Sequence, residues 1–375
     1  MSSEAIKGRL QDAEKSAEKT ASDLKSKALD ASNDLKARTQ DATNDLGSKA
    51  QDAISSIKGK TTTDPLGFVP NFSFTDYVRF FSAGALCATI THGAMTPVDV
   101  VKTRLQLEPK GSKLGMASMA RSIVASEGAA GLMTGFGPTA VGYLIQGGSK
   151  FCGFEAFKRA GVLMAGSEAE AQKHRTLIYI GGASAAELIA STLLTPLEAA
   201  RIRLVSQRGY ASGLAGAMTR MASEGGFREF YAGYIPILLK QIPFTVAQFT
   251  VNEYSHEFVN NNISEESIKA YGKTGEVGVS LGCGLAAGIA AAIASHPADT
   301  LLSKINKGGG GSGGTLSRLA QLTKETGFMG LWAGLGTRII MQGALICAQM
   351  AIYDQIKKGL GAPAGISIAK ETNVD

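Results

Sequence analysis

Three ionisable side chains lie in long stretches that carry almost no other charge. Glu187 is the only formal charge between residues 176 and 197, and Lys240 is the only one between residues 230 and 252. His92 lies in a third stretch that has none. A charge inside a bilayer costs roughly 2.5–3.5 kcal/mol on insertion scales, so such residues usually face a cavity and have a function. A lysine offers a fixed positive charge to an anion, whereas a carboxylate and an imidazole can exchange protons.

Six stretches of low charge follow residue 64, and they indicate the elements that position these side chains. Each approaches the ~20 apolar residues that span a bilayer core, and they are rich in small residues that allow membrane helices to approach closely. The alternative is a soluble Gly/Ala-rich α/β enzyme, but the sequence lacks the short β-branched strands that such a fold requires. We therefore predict an all-α membrane protein with six transmembrane helices. The stretches are 80–98, 128–149, 176–197, 230–252, 277–298 and 339–353.

The sequence after residue 64 repeats itself at a period near 100. Each copy has a proline followed by an acid, then a Gly landmark 37 or 38 residues later, then a second acidic position. Proline inside a membrane helix removes a hydrogen bond and can kink it. The pattern predicts three tandem helix–loop–helix repeats with pseudo-threefold symmetry, each loop carrying a short polar helix. The proline motifs read PVDVVK at 97–102, PLEAAR at 196–201 and PADTLL at 297–302.

Three copies of P-x-[DE]-x-x-[KR] in register resemble the mitochondrial carrier family over residues 75–360. The resemblance implies a multi-pass secondary transporter of the mitochondrial inner membrane that works by alternating access. It implies no enzymatic activity, no cofactor, no resident metal and no nucleic-acid partner, with the lipid bilayer, cardiolipin included, as the surroundings. The third copy departs from the pattern, because Leu302 stands where a base is expected.

The resemblance also implies two gates built from charged residues. At the matrix gate it pairs Lys102 with Glu198 and Arg201 with Asp299, and Leu302 leaves Asp99 without its family partner. The expected matrix-gate residues are Asp99, Lys102, Glu198, Arg201 and Asp299. The expected cytoplasmic-gate residues are Glu155, Lys158, Glu253, His256, Asp354 and Lys357.

Local stretches around His92 and at 147–151, 240–243 and 295–299 resemble the phosphate-transporting members of that family, of fungal type. Those members import inorganic phosphate together with protons. The resemblance places the central site about 13 residues before each cytoplasmic acid. The expected phosphate ligands are Lys240, Gln241, Gln146, Lys150 and Gln342.

Helical spacing adds a set of residues for proton coupling. His92 and Asp99 are seven residues apart, and Glu187 and Glu198 are eleven apart, so each pair shares one helix face. We predict that both rows run from mid-membrane to the matrix gate, with His92 as the partner of Glu187.

Other functions remain open at this point. Four cysteines, at 87, 152, 283 and 347, form no C-x-x-C motif and suggest neither a disulfide framework nor a zinc site. Cys87 lies five residues before His92, and soft thiolates suit Cu(I), so copper is an alternative substrate. Two further alternatives are a carrier of another small anion and a membrane adaptor that transports nothing.

The first 60 residues differ from the rest, with 11 basic and 10 acidic side chains. Asp-Leu pairs recur at 23, 34 and 45, a spacing of 11 that suits a nearly straight helix. The segment resembles the repeats of late-embryogenesis-abundant-like proteins, and its partner is open. We predict a charged arm and linker at 1–63 and a carrier domain at 64–375. The domain's repeats are expected at about 72–165, 172–262 and 273–362.

Overall fold

The computed structural model describes residues 69–107, 115–207, 209–306 and 315–368. Over these residues the chain is helical and contains no strand. The predicted arm at 1–63 lies outside the described residues, so the predicted domain boundaries stay a prediction. Six helices are long: α1 (Phe74–Leu107), α2 (Phe136–Ala165), α3 (Arg175–Ser206), α4 (Tyr234–Asn262), α5 (Gly272–Asn306) and α6 (Leu335–Gly359).

The long helices form a closed ring in chain order. Each of α1 to α5 packs against the next helix, and α6 packs against α1. The pairs α1/α2, α3/α4 and α5/α6 are the three predicted repeats, and the prediction of six helices is confirmed. By length and mean hydropathy alone α3, α6 and Gly272–Leu302 of α5 could each cross a membrane.

Shorter helices fill the connections within and between the repeats. The predicted polar helix of each loop is present, as Met116–Glu127, Leu214–Gly225 and Thr315–Leu331. One turn of 3-10 helix (Ala129–Met133) follows the first of them. The remaining short helices are Glu168–Lys173, Phe227–Phe230 and Glu265–Ala270.

The charge-free stretches predicted the ends of α2 poorly. The stretch begins at residue 128, whereas α2 begins at Phe136, after Gly135 in the left-handed conformation (φ +81°). The helix then continues past Lys150 and Lys158 to Ala165. Both lysines are buried among protein groups rather than in lipid, so a charge does not end the helix here.

Each odd-numbered helix continues through its proline. Thr96 and Thr195 directly precede their prolines, and Ser295 lies two residues before Pro297. Each hydroxyl donates to the carbonyl four residues earlier, at 3.3, 2.6 and 2.8 Å. Proline cannot donate a backbone hydrogen bond, and in a membrane a freed carbonyl needs another donor. A hydroxyl donor therefore lies in the turn before each proline, in the same register in the first two repeats and one residue earlier in the third.

Helices α1 and α2 come close enough that only glycine fits at their crossing. A Cβ atom at Gly147 would lie 2.5 Å from the carbonyl oxygen of Gly84 and closer still to the Cβ of Ala88. A Cβ at Gly84 would lie 2.6 Å from the carbonyl oxygen of Gly147. Small residues at helix crossings permit the packing that holds membrane helices together, so this pair fixes the first repeat.

We expect Gly147→Ala to lower the stability of the protein, because the added methyl group must push two backbones apart. Overpacking of this kind costs about 1–3 kcal/mol. The measurement is the midpoint of thermal unfolding in detergent. Gly181→Ala in α3 is the matched control, since a Cβ there meets no atom within 4 Å. Equal midpoints for the two variants would contradict the close packing.

Candidate functional site

Glu187 is the centre of a buried hydrogen-bond cluster inside the ring. Its side chain is 0 % exposed. Its Oε1 accepts from the Ser191 hydroxyl at 2.6 Å and from the Gln146 amide at 3.3 Å, and its Oε2 accepts from the Thr245 hydroxyl at 2.6 Å. The donors come from α2, α3 and α4. Together they supply the hydrogen bonds that a buried carboxylate requires.

A second polar chain crosses the ring between the even-numbered helices. Lys150 of α2 is 4 % exposed, and its Nζ donates to Gln248 Oε1 of α4 at 3.2 Å. The Gln248 amide donates to Gln349 Oε1 of α6 at 3.5 Å. The Lys150 ammonium also lies 5.6 Å from the ring centre of Phe249. All three repeats therefore contribute a polar side chain at this level.

His92 and Lys240 share the interior with these groups. The His92 ring stacks on Tyr143 with ring centres 3.6 Å apart and an angle of 3°. Lys240 is half-buried and has no ion-pair partner among the described residues. The interior thus combines cationic groups with an imidazole and a carboxylate.

At the predicted matrix gate, Arg201 joins two acids. Its Nη2 contacts Asp99 Oδ2 at 2.9 Å, and its Nη1 contacts Glu198 Oε1 at 3.0 Å. Asp99 belongs to the first repeat and Arg201 to the second, so this ion pair bridges α1 and α3. The guanidinium fork can serve two carboxylates at once.

The third repeat supplies its own partner to its gate acid. Asp299 of α5 pairs with Arg338 of α6, which also donates to the Ser295 hydroxyl at 2.9 Å. Arg338 is buried. Lys102 is half-buried and forms no ion pair with any described residue.

At the predicted cytoplasmic gate, Lys158 joins two acids. It is 1 % exposed, and its Nζ lies 3.0 Å from Glu155 Oε1 and 2.6 Å from Glu253 Oε1. Glu155 and Lys158 belong to the first repeat and Glu253 to the second. Both ends of the bundle are therefore bridged between the first and second repeats.

The rest of the predicted cytoplasmic gate is held by other contacts. Asp354 accepts from the Ser280 hydroxyl at 2.5 Å. The Lys357 ammonium lies 5.3 Å from the ring centre of Phe80. Within the described part of the chain, neither His256 nor Lys357 forms an ion pair.

Comparison with known proteins decides the family. The sequence model described as "Mitochondrial carrier protein" matches residues 75–163, 172–263 and 273–363. The chain belongs to the mitochondrial carrier family. The members of this family are transporters rather than enzymes, and the resemblance inferred from the repeated motifs is confirmed.

Several curated carriers are similar to the chain. "Mitochondrial substrate carrier family protein N" of Dictyostelium discoideum is 40% identical over 76% of this chain and 95% of its own length. "Probable mitochondrial phosphate carrier protein" of Schizosaccharomyces pombe is 37% identical over 75% of this chain and 90% of its own. "Phosphate carrier protein, mitochondrial" of Caenorhabditis elegans is 36% identical over 75% of this chain and 80% of its own length.

The structure does not contain the predicted matrix-gate pairings. Arg201 pairs with Asp99 and Glu198, rather than with Asp299, and Lys102 does not reach Glu198. Asp99 was predicted to lack its family partner at position 302, and it pairs with Arg201 instead. The reason lies in the third repeat: Leu302 offers Asp99 no base, and Arg338 takes Asp299.

The predicted partnership of His92 with Glu187 is not a contact. Helix α2 lies between α1 and α3 in the ring, with Tyr143 against His92 and Gln146 against Glu187. Of the predicted phosphate ligands, Gln146 and Lys150 join the buried polar groups. Gln241 and Gln342 are half-buried and form no side-chain hydrogen bond with any described residue.

Residues that the sequence analysis overlooked complete the site. Ser191, Thr245 and Arg338 show no repeat signal. Gln248 and Gln349 do, because each lies five residues before a cytoplasmic-gate acid, as Lys150 does before Glu155. Comparing the three repeats position by position would have found this set.

The cysteines lie in α1, α2, α5 and α6, and all four are free. The buried Cys87 thiol donates to the Gly84 carbonyl at 3.2 Å. Among the described residues, no group of three or more His, Cys, Asp or Glu side chains is arranged to hold a metal ion.

A double-mutant cycle would separate the observed gate pairing from the predicted one. We expect Asp99→Asn and Arg201→Gln to be coupled by about 0.5–3 kcal/mol in the free energy of unfolding, because the two side chains are in contact. Asp299→Asn with Arg201→Gln should be additive within about 0.5 kcal/mol. Chemical unfolding in detergent gives both values. Coupling of Arg201 with Asp299 but not with Asp99 would contradict the observed pairing.

Proposed function

We propose that this carrier imports inorganic phosphate together with protons across the mitochondrial inner membrane, by alternating access between the two gates. The proposal is carried by two buried groups of opposite charge, Lys150 and Glu187, inside a six-helix ring. An ion pair between repeats lies at each end of this ring. The relatives named as phosphate carriers support phosphate as the substrate.

The cationic interior suits an oxyanion. Lys240 supplies an ammonium with no ion partner among the described residues, and Lys150 supplies a second one whose hydrogen-bond partner is a neutral amide. The amide groups of Gln146, Gln248 and Gln349 are further donors. A phosphate that enters the ring would exchange its hydration shell for these groups.

Two rows of titratable groups offer a route for protons. One row runs from His92 to Asp99 on α1, and the other runs from Glu187 to Glu198 on α3. Both rows end at Arg201, which contacts Asp99 and Glu198. A change in the charge of either row therefore acts on the same gate residue, which would couple protonation to gating.

Alternating access requires the two inter-repeat ion pairs to break in turn. Arg201–Asp99 joins the first and second repeats at one end, and Lys158–Glu253 joins them at the other. Opening one end while the other stays bridged exposes the interior to one side only. Phosphate binding would supply the energy for this exchange of contacts.

We expect Lys240→Ala to lower phosphate uptake by about tenfold or more, which corresponds to a loss of about 1.4 kcal/mol or more. The physical reason is the loss of a fixed cation from the interior. Uptake of radiolabelled phosphate into proteoliposomes, with and without a pH gradient, is the measurement. Competition by unlabelled sulfate tests the alternative of another small anion. Lys173→Ala, at an exposed lysine, is the control, and equal uptake by both variants would remove Lys240 from the site.

We expect Glu187→Gln to abolish the stimulation of phosphate uptake by a pH gradient, because the amide keeps the shape but cannot titrate. Phosphate/phosphate exchange should fall much less, since it requires no net proton transfer. The two modes are compared in the same proteoliposomes, with the exposed Glu170→Gln as the control. If both modes fall equally, Glu187 binds or positions the substrate instead. If neither falls, the proton route follows His92 and Asp99.

A further inference from the structure

The chain turns back on itself immediately after α6. Gly361 has φ +63°, a left-handed conformation that glycine adopts readily. Its N–H bonds the Lys358 carbonyl at 3.0 Å, and the Ala362 N–H bonds the Lys357 carbonyl at 3.0 Å. This pair of bonds is the Schellman arrangement that ends many helices. The residues that follow therefore return to the bundle instead of leaving it.

The returning segment is anchored in the interior core. Ile366 is 4 % exposed and Ile368 is 5 % exposed. Both belong to the same buried cluster as Phe154 of α2 and Tyr179 of α3. A segment from the third repeat thus packs on helices of the first and second.

The segment contacts the cytoplasmic-gate acid directly. The Ile366 N–H donates to Glu155 Oε2 at 3.1 Å, while Glu155 Oε1 lies 3.0 Å from Lys158 Nζ. A Cβ atom at Gly365 would lie 2.5 Å from Glu155 Oε1. Lys158 in turn holds Glu253 of the second repeat. The segment is therefore joined to the ion-pair cluster that closes this end.

We propose that residues 362–368 form a strap that holds the cytoplasmic gate closed and must leave Glu155 before the gate opens. Lys357, the base that the third repeat contributes to the gate, lies over the Phe80 ring. The Ile366 N–H of the strap, rather than Lys357, contacts Glu155. This hydrogen bond links the third repeat to the first. The inference rests on the proposed alternating access, since only a gate that opens has use for a releasable strap.

Gly365→Ala is the variant that loosens the strap with the smallest change, because its methyl group would collide with the Glu155 carboxylate. Gly359→Ala is the matched control, since a Cβ there meets no atom within 4 Å. Ile368→Ser is a second variant, which removes the apolar anchor and leaves Glu155 untouched. Thermal unfolding identifies any variant that fails to fold.

Two readouts need no transport. Hydrogen exchange of residues 362–368 in proteoliposomes should be slow in the wild type and in Gly359→Ala, and about tenfold faster or more in the two loosened variants. Cys87 is buried in the same core cluster as Phe80, whose ring lies against the Lys357 ammonium. Its labelling by a membrane-impermeant maleimide, resolved by mass spectrometry, should rise about threefold or more in the loosened variants.

The outcomes separate the strap from the phosphate proposal. Fast exchange with unchanged Cys87 labelling would show that the segment is only a structural anchor, and the proposal would fall. Equal exchange in the wild type and in Gly365→Ala would do the same. Increased labelling supports the strap, whether or not phosphate is transported. Absence of phosphate uptake in the wild type would instead overturn the proposed function alone.

Discussion

The cost of placing a charge within a hydrocarbon layer constrains this structure more than any other interaction. Glu187, Lys150 and Lys158 lie in membrane helices, and all three are buried by protein. Each has polar partners on another helix. A helix that carries such a residue can satisfy it only by turning that face toward its neighbours. The ring must therefore close around these charges, because only neighbouring helices can bury them.

The threefold repeat supplies the frame, and departures from it supply the chemistry. The position five residues before each acid of the predicted cytoplasmic gate is Lys150, Gln248 and Gln349, so only one of three equivalent sites is charged. The third proline motif ends in Leu302 instead of a base, and Arg338 of α6 holds its acid instead. A symmetric ring would bind a ligand at three equivalent points, whereas in this ring only the first repeat offers a charged group at this level.

The first and second repeats are joined by ion pairs at both ends, while the third repeat meets them through other contacts. Arg201 and Lys158 each hold an acid of their own repeat and an acid of the other. The third repeat forms its own internal ion pair, Asp299–Arg338. It contacts the first repeat through the Ile366 N–H, which donates to Glu155. Among the described residues, no ion pair joins the third repeat to the first or the second.

The sequence by itself determined the class of the fold, because hydrophobic length and internal repetition are local properties of the chain. Six stretches of low charge predicted six helices, and three proline motifs in register predicted the family. The same motifs placed Asp99, Glu198 and Asp299 at one end of the bundle. They could not assign the ion pairs, since a side chain as long as Arg201 can reach acids on more than one helix.

Only the tertiary structure decided which groups meet. The donors around Glu187 come from three helices, and Thr245 shows no sign of this role in the sequence. His92 and Glu187 were expected to be partners from their depth, but helix α2 stands between them. The return of Ile366 to Glu155 joins residues 211 positions apart. Such contacts depend on how whole helices pack, and periodicity along one helix contains no information about that packing.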